Sequence, residues 1–335
     1  MPDDHGKDVV NRAFEVRRSY KDAKKHFVRV NGWIPAARSR LRKNRRHALR
    51  YFTLCGENAL DVLHLKREKL LLHDGRGYPE LVFCEQDESI YTSIDRLLRH
   101  YKRGFLCALE DITSQPQYDE VFPFDVINLD LTRSCFPRRE PPTSSTMKTI
   151  SKMIQLQRGT DFDLFVTFRA ERTVENTDAI NILLRNMEKN LRENPDLRKE
   201  FLNAAGSEPA ALLRQDYIRF ILKAFPKLII RYGHDNSYLV HCQGIYKYQR
   251  MPPWRKRYFV LKFLFSFDAE PLRQAHEPID DIEQSRSRLE RESALFHRAV
   301  KESIRIDAVN VELSLNREAE QMLEKDVSEL LKYGA

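Results

Sequence analysis

The sequence predicts an α/β fold with a mostly parallel, seven-stranded sheet that ends in an antiparallel hairpin and carries helices on both faces. The first observation is that short apolar runs alternate with longer amphipathic stretches from Ala48 onward, which is typical of parallel strands joined by crossover helices. The second is that two aromatic-rich runs, Tyr238–Tyr248 and Tyr258–Phe267, are separated by a short segment with two prolines. That segment is too short for a crossover helix, so these two strands should pair antiparallel.

The earlier strands and helices follow from the spacing of apolar residues. Phe162–Phe168 is nearly continuous in apolar residues, which favours burial on both faces of a sheet. Ile90, Ile94 and Leu97 are spaced as on one side of a helix. The five predicted strands are Leu49–Cys55, Leu81–Cys84, Phe105–Leu109, Asp125–Leu131 and Phe162–Phe168. The five predicted helices are Glu57–Leu65, Glu88–Tyr101, Met147–Leu156, Thr177–Asn190 and Ala210–Phe225.

The last part of the chain is highly charged and predicts a mainly helical extension. Apolar and polar residues alternate from Val309 to Leu315, which is typical of a half-buried strand that extends a sheet or pairs with a partner. Helices are predicted for Ile282–Ile304 and Arg317–Tyr333, and Asn316 should cap the second. Their apolar faces are narrow, so we expect them to pack on a protein partner or on a second copy of the chain.

The sequence thus divides into three predicted parts. They are a basic N-terminal arm at residues 1–47, an α/β domain at residues 48–268 and a charged extension at residues 269–335. The chain contains neither a long apolar run nor an apolar N-terminal stretch, so we expect a cytoplasmic protein without a membrane span. The five cysteines are far apart and lack zinc-ligand spacing, which predicts free thiols and no metal site.

The basic residues are concentrated near the N-terminus. The net charge is +8, and the segment from Arg17 to Arg50 contains thirteen basic residues against Asp22 alone. Aromatic residues such as Trp33 lie among them, a mixture that can follow a phosphate backbone and stack on unpaired bases. The predicted nucleic-acid-binding residues are Arg38, Arg40, Arg42, Lys43, Arg45 and Arg46. The alternative is a helix face that docks on acidic residues elsewhere in the chain.

Polar residues follow the predicted parallel strands, where ligands of doubly wound sheets bind. Gly56 follows the first strand, Glu85 the second, and Glu110 and Asp111 the third. Glycine allows close approach of the backbone to a ligand, and carboxylates accept hydrogen bonds from hydroxyl or amino groups. The alternative is that these acidic residues merely cap the following helices, a role that Asp87 or Ser89 could equally take.

Strand pattern, terminal hairpin and ordered polar residues together resemble the class I, Rossmann-like S-adenosylmethionine-dependent methyltransferase family over about residues 48–268. The resemblance implies that S-adenosylmethionine binds with its ribose at Glu85 and its adenine near Glu110 and Asp111. It also implies that Asn128 and Asp130 are the polar active-site residues. The sequence departs from the family in having only Gly56 in the first loop and no prolines after Asn128.

Two other chemistries compete with methyl transfer. Cys135 lies near a proline after the fourth strand, where carbon-methylating relatives place a nucleophile, but the spacing does not match. Carboxylates such as Asp125, Asp130 and Asp163 can bind Mg²⁺, but the first and last begin strands whereas Asp130 ends one. The sequence therefore favours a methyltransferase-like protein acting on or near nucleic acid. A catalytically inactive subunit that binds nucleic acid or protein remains the alternative.

Overall fold

The computed structural model has one eight-stranded mixed sheet with helices packed around it. It describes residues 22–56, 58–72, 80–98, 103–131, 133–137, 145–172, 176–250, 260–272 and 282–334. The strands are β1 Tyr51–Thr53, β2 Leu81–Glu85, β3 Gly104–Leu106, β4 Val126–Asp130, β5 Phe162–Arg169, β6 Tyr238–Arg250, β7 Val260–Pro271 and β8 Val309–Asn310. None of the described helices is both long and apolar enough to cross a membrane.

Strand order confirms the main prediction and adds one strand. The order across the sheet is β3-β2-β1-β4-β5-β7-β6-β8, and the first five are parallel neighbours. Strand β7 runs antiparallel to both β5 and β6, so the predicted antiparallel pair is present. Strand β8 pairs parallel with β6, so the sheet has eight strands and not the seven that were predicted.

One face of the sheet is covered by the N-terminal helices and those that follow β1 and β2. These are α1 Ala23–Val28, a π-turn at Arg29–Trp33, α2 Ile34–Lys43, α3 Leu60–Arg67 and α4 Glu88–Leu98. Trp33, Ile34 and Ala37 are buried in the apolar cluster on this face, together with Tyr51 and Phe165 of the sheet. The part of the predicted arm that the structure describes, residues 22–47, therefore packs into the α/β domain.

The opposite face carries the remaining crossover helices and the long helix of the extension. These elements are α5 Leu109–Ser114, a 3₁₀ turn at Pro116–Val121, α6 Ser145–Leu156, α7 Thr177–Glu193, α8 Pro195–Ala205, α9 Pro209–Gln215, α10 Tyr217–Asp235 and α11 Ile282–Arg305. Phenylalanines of β5, β7 and α10 form its centre, with the Phe225 and Phe265 ring centroids 4.7 Å apart. Helix α11 lies on α10 and contributes the fully buried Val300 and Ile304, so the extension packs against the domain.

The predicted C-terminal strand is present and extends the sheet, but only at its first two residues, and the last helix was predicted correctly. Only Val309–Asn310 is a strand, because the Asn310 side chain accepts a hydrogen bond from the amide of Glu312 and starts helix α12 Val311–Ser314. Helix α13 then spans Arg317–Gly334, and Asn316 caps it by accepting from the amide of Ala319 at 2.8 Å. The alternating pattern therefore described a two-residue strand and a short helix.

Two other helix boundaries differ from the prediction for local reasons. Helix α8 was not predicted, and Asn194 starts it by accepting from the amide of Leu197. The predicted helix Ala210–Phe225 is two helices, because Asp216 has a non-helical backbone and caps α10 through the amide of Arg219.

Candidate functional site

The candidate site lies at the carboxyl ends of β1 to β4, which are adjacent and parallel in the order β3-β2-β1-β4. Glu85 and Asp130 are the last residues of β2 and β4, and Gly56 and Glu110 follow β1 and β3. Because carboxyl ends of parallel strands meet at one edge of a sheet, the structure brings these four positions together. We call this edge the carboxyl edge, and the other the amino edge.

Glu85 is half-buried at the carboxyl edge and is not the cap of the following helix. Asp87 caps α4 instead, since its Oδ1 accepts from the amides of Ser89 and Ile90 at 2.9 and 3.0 Å. A hydrogen bond from the Ser89 hydroxyl, together with the one from the Ile90 amide, lowers the pKa of Asp87 and keeps it ionised. One oxygen of Glu85 accepts from the amide of Asp87 at 2.9 Å, which fixes the orientation of the carboxylate. Glu85 therefore has the position and chemistry of a hydrogen-bond acceptor for a ligand.

The acidic residues after β3 have divided roles. Asp111 accepts from the amide of Ala108 at 3.1 Å and so closes the first turn of α5. Glu110 instead faces the next loop, where its Oε1 lies 3.6 Å from the guanidinium of Arg133. Arg133 follows β4, so this ion pair joins the loops at the ends of two strands. The capping alternative thus applies to Asp111, whose Oδ2 is engaged by the backbone.

The loop after β1 differs from the predicted glycine turn. Helix α3 begins at Leu60, later than predicted, and the predicted start at Glu57 lies outside the described residues. The residue with a left-handed backbone is Ala59, at φ 41° and ψ 38°, and its amide donates to the carbonyl of exposed Gly56 at 2.7 Å. A left-handed alanine costs about 1–2 kcal/mol, so packing at the start of α3 must hold it there.

Asn128, which the resemblance implies as a polar active-site residue, belongs to a buried hydrogen-bond network. Its side chain is 1% exposed, and Nδ2 lies 3.2 Å from Asp61 Oδ2 on α3. The same carboxylate oxygen accepts from Tyr51 at 2.7 Å and Thr53 at 2.6 Å. Burial and the Asp61 carboxylate raise the pKa of Tyr51 well above its usual value, so the phenol stays a donor. Asn128 therefore ties β4 to α3 and does not reach the carboxyl edge.

Asp130 lies at the carboxyl edge between two lysines that the sequence did not single out. Lys25 of α1 forms an ion pair with its Oδ2, and Lys262 of β7 lies 3.6 Å from its Oδ1. Lys262 also donates to the carbonyl of Leu131 at 3.1 Å and is 5% exposed. These contacts join residues more than a hundred positions apart, so spacing in the sequence could not reveal them. Of the two predicted active-site residues, Asp130 is the one at the edge.

The basic segment docks on acidic residues, as the alternative for it proposed. Arg40 is 2% exposed and forms ion pairs with Asp163 and Asp268, so its predicted role as an exposed nucleic-acid contact is corrected. Arg38 pairs with Glu68, Lys43 with Glu270, and Arg46 with Asp125 at 3.4 Å. Arg42 and Arg45 are exposed and make no ion pair with a described residue.

The exposed cations and the candidate cofactor residues lie at opposite edges of the sheet. Arg46 contacts Asp125, directly before β4, whereas Asp130 ends the same strand. Five residues of β4 span roughly 17 Å at about 3.3 Å per residue. Nucleic acid bound at the amino edge would therefore lie away from a ligand at the carboxyl edge.

The structure separates the residues of the two alternative chemistries. Cys135 is fully buried, which is the environment of a structural cysteine and not of an accessible nucleophile. Asp125 and Asp163 lie at the amino edge, across the sheet from Asp130. Within the described ranges, no group of three or more histidine, cysteine or acidic side chains is arranged to hold a metal ion.

The comparisons with known proteins give a family without a stated activity. No curated protein matches the chain. A family model described as PP_RS20740-like matches residues 107–334, a range that includes Asp111 and Asp130 and begins after Gly56 and Glu85. The matched range covers strands β4 to β8 and helices α5 to α13. The match extends over more than half of the sequence, and the chain therefore belongs to the PP_RS20740-like family.

Proposed function

We propose that this protein binds S-adenosylmethionine at the carboxyl edge and is a methyltransferase-like protein of the class I type. The strand order, with an antiparallel β7 between β5 and β6, supports this proposal because it agrees with the topology that the resemblance implies. The observation that carries the proposal is the position of Glu85 at the end of β2. Its carboxylate does not cap the following helix, because Asp87 caps α4 instead.

The residues at the edge fit this cofactor in part. Glu85 would accept from the ribose hydroxyls, and Glu110 lies near the position implied for the adenine. Asp111 has Oδ2 engaged by the amide of Ala108, and Asn128 is buried, so neither matches its predicted contact fully. When bound, the cofactor supplies an already activated methyl group, so the protein must mainly position an acceptor. Asp130, held by Lys25 and Lys262, is the polar group that would orient it.

The test is calorimetric titration of the full chain with S-adenosylmethionine and S-adenosylhomocysteine. We expect micromolar binding that weakens about 10- to 100-fold in Glu85→Gln, because a charge-assisted hydrogen bond contributes about 1.5–3 kcal/mol. Glu88→Gln is the matched control, since this glutamate lies three residues further along, in the exposed first turn of α4. Absence of heat at millimolar ligand would reject the cofactor and favour the inactive-subunit alternative.

A second candidate function, nucleic-acid binding, rests on a different surface. Arg42, Lys43, Arg45, Arg46 and His47 are exposed together at the end of α2. Lys43 and Arg46 also contact acidic residues, so the cluster has fewer available charges than the sequence suggested. We propose that this cluster binds the phosphate backbone of nucleic acid at the amino edge.

Fluorescence anisotropy with labelled single-stranded RNA and DNA tests this second function. Replacing Arg42, Arg45 and Arg46 together by alanine should reduce the slope of log affinity against log salt by about 0.7 for each phosphate that the protein no longer neutralises. Replacing Arg286, Arg291 and Arg298 by alanine, three arginines exposed on α11, controls for the same change in net charge. Unchanged affinity in the triple variant would mean that the cluster is only a solvated surface.

A further inference from the structure

A groove of about 260 Å³ opens between the N-terminal helices and strands β5, β7 and β6, near the amino edge. It is lined by the polar residues Asn31, Ser39, Arg40, Gln243, Ser266 and Asp268, together with Tyr246 and two glycines. Strand pairing brings these positions together, since Asp163 is opposite Asp268 and Ser266 is opposite Gly244. The groove lies on another part of the sheet from the carboxyl edge.

Two backbone irregularities meet at this groove. Asn31 and Gly32 belong to the π-turn at Arg29–Trp33, and Gln243 lies in a β-bulge between Cys242 and Gly244. Single π-turns and β-bulges interrupt regular hydrogen bonding, and both occur frequently beside functional sites. The Tyr246 hydroxyl donates to the carbonyl of Asn31 at 3.2 Å and so joins the two irregular segments.

Glycine at position 32 allows the π-turn to pack closely against the Tyr246 ring, which forms part of the groove wall. A Cβ atom at this position would lie 3.1 Å from Cε2 of the Tyr246 ring, which is tighter than most real contacts. A larger residue would push the π-turn away from β6 or turn the ring into the groove. The wall thus depends on the absence of a side chain at this position.

The charges of the groove indicate the chemistry of its ligand. Arg40 and Lys43 line it together with Asp163 and Asp268, two cations with two carboxylates. Arg40 Nη2 lies 2.8 Å from Asp163 Oδ1, and Lys43 Nζ lies 3.9 Å from Asp268 Oδ2. Because the charges are already paired, the groove has no net charge to attract an ion. A zwitterionic ligand would have to break these ion pairs before its own charges could pair with the same side chains.

A neutral polyhydroxylated molecule makes better use of such a lining. Each hydroxyl donates one hydrogen bond and accepts others, so it can add to a carboxylate or guanidinium that keeps its ion pair. The amides of Asn31 and Gln243 and the hydroxyl groups of Ser39 and Ser266 offer both donors and acceptors. Pockets for drug-sized ligands measure about 300–1,000 Å³, so this groove suits a single sugar ring. We propose that it is a binding site for a monosaccharide.

Saturation-transfer NMR on the full chain, with D-glucose and D-ribose as probes, tests this site. We expect saturation transfer to at least one sugar with a millimolar dissociation constant, because ligands with so few atoms bind weakly. Ser39→Tyr fills the groove from an exposed helix position and should abolish the signal. Arg42→Tyr places the same ring on the same helix at a residue that does not line the groove, and should leave binding unchanged.

Gln243→Ala is the second variant and should weaken sugar binding at least threefold, because it removes the amide of the bulge. Stronger transfer to L-serine or displacement by phosphate would overturn the proposal in favour of a charged ligand. Absence of transfer to both sugars at 50 mM, or a signal that survives in Ser39→Tyr, would also overturn it. Cofactor titration of Ser39→Tyr separates this site from the proposed function, since the heat of S-adenosylmethionine binding should not change.

Discussion

The carboxylate of Asp326 on α13 accepts from both terminal nitrogens of the Arg67 guanidinium on α3, at 2.6 and 2.9 Å. It also accepts from Nε2 of the fully buried His26 at 2.6 Å. Val327 and Leu330 pack on Leu60 beside this contact. A single carboxylate thus joins the last helix to α1 and α3, the helices that carry Lys25 and Asp61.

Asp326→Asn should release this contact. The variant keeps the size of the side chain but loses the charge that Arg67 and His26 engage, so we expect a loss of about 1–3 kcal/mol in the free energy of unfolding. Urea denaturation measures it, with Glu324→Gln on the exposed side of the same helix as control. Equal stability of the two variants would show that the apolar contacts alone hold α13.

Stability should fall in mild acid because two buried histidines are held neutral. The pKa of His26 is lowered to about 4 and that of His64 to about 3, chiefly by burial, against 6.5 for an unperturbed histidine. The charges of Arg29 and Arg67 contribute to both shifts, His26 also contributes to the shift of His64, and Asp326 partly opposes them. The unfolded chain binds these protons first, so stability is fully present above about pH 6.5 and declines as the pH falls towards 4.

The slope of this decline can be measured by urea denaturation between pH 7.5 and 4.5. Each histidine contributes up to about 1.4 kcal/mol per pH unit below its unfolded pKa. His64→Gln should flatten the profile, whereas His47→Gln, at an exposed position, should not. An unaltered slope in the first variant would place the acid sensitivity elsewhere.

Asn128→Ala should destabilise the fold. The substitution removes the amide that donates towards Asp61, Tyr51 and Thr53 in a buried network, and we expect a loss of about 1–3 kcal/mol. Asn203→Ala, at an exposed position of α8, is the control. Unchanged stability together with impaired ligand binding would instead support the predicted role of Asn128 as an active-site residue.

Arg40→Met should be more damaging than Arg42→Met, two positions along the same helix. The first leaves Asp163 and Asp268 without their buried partner, and breaking such a pair typically costs about 3–5 kcal/mol. The second changes an exposed residue and should stay within about 0.5 kcal/mol of the wild type. Thermal unfolding compares the two, and similar midpoints would contradict a structural role for Arg40.

The sequence by itself determined the secondary-structure elements that depend on residues close together in the chain. Apolar runs predicted β1 to β5, the short proline-containing connection predicted the antiparallel pairing of β6 and β7, and Asn316 predicted the start of α13. Capping by Asp87 was also open to prediction, because a cap bonds to backbone within three residues. Carboxyl-edge positions such as Glu85 and Asp130 followed from the strands themselves.

Only the tertiary structure decided which polar side chains are exposed and which are paired. Asn128 and Asp130 both belong to β4, yet the helix that covers the first leaves the second at the edge. Arg40 and Arg42 are equal in charge, but the turn of α2 directs Arg40 towards Asp163 and Asp268, more than a hundred residues away. Periodicity fixes the face of an element, whereas the partner on that face depends on contacts between distant segments, which local pattern does not encode.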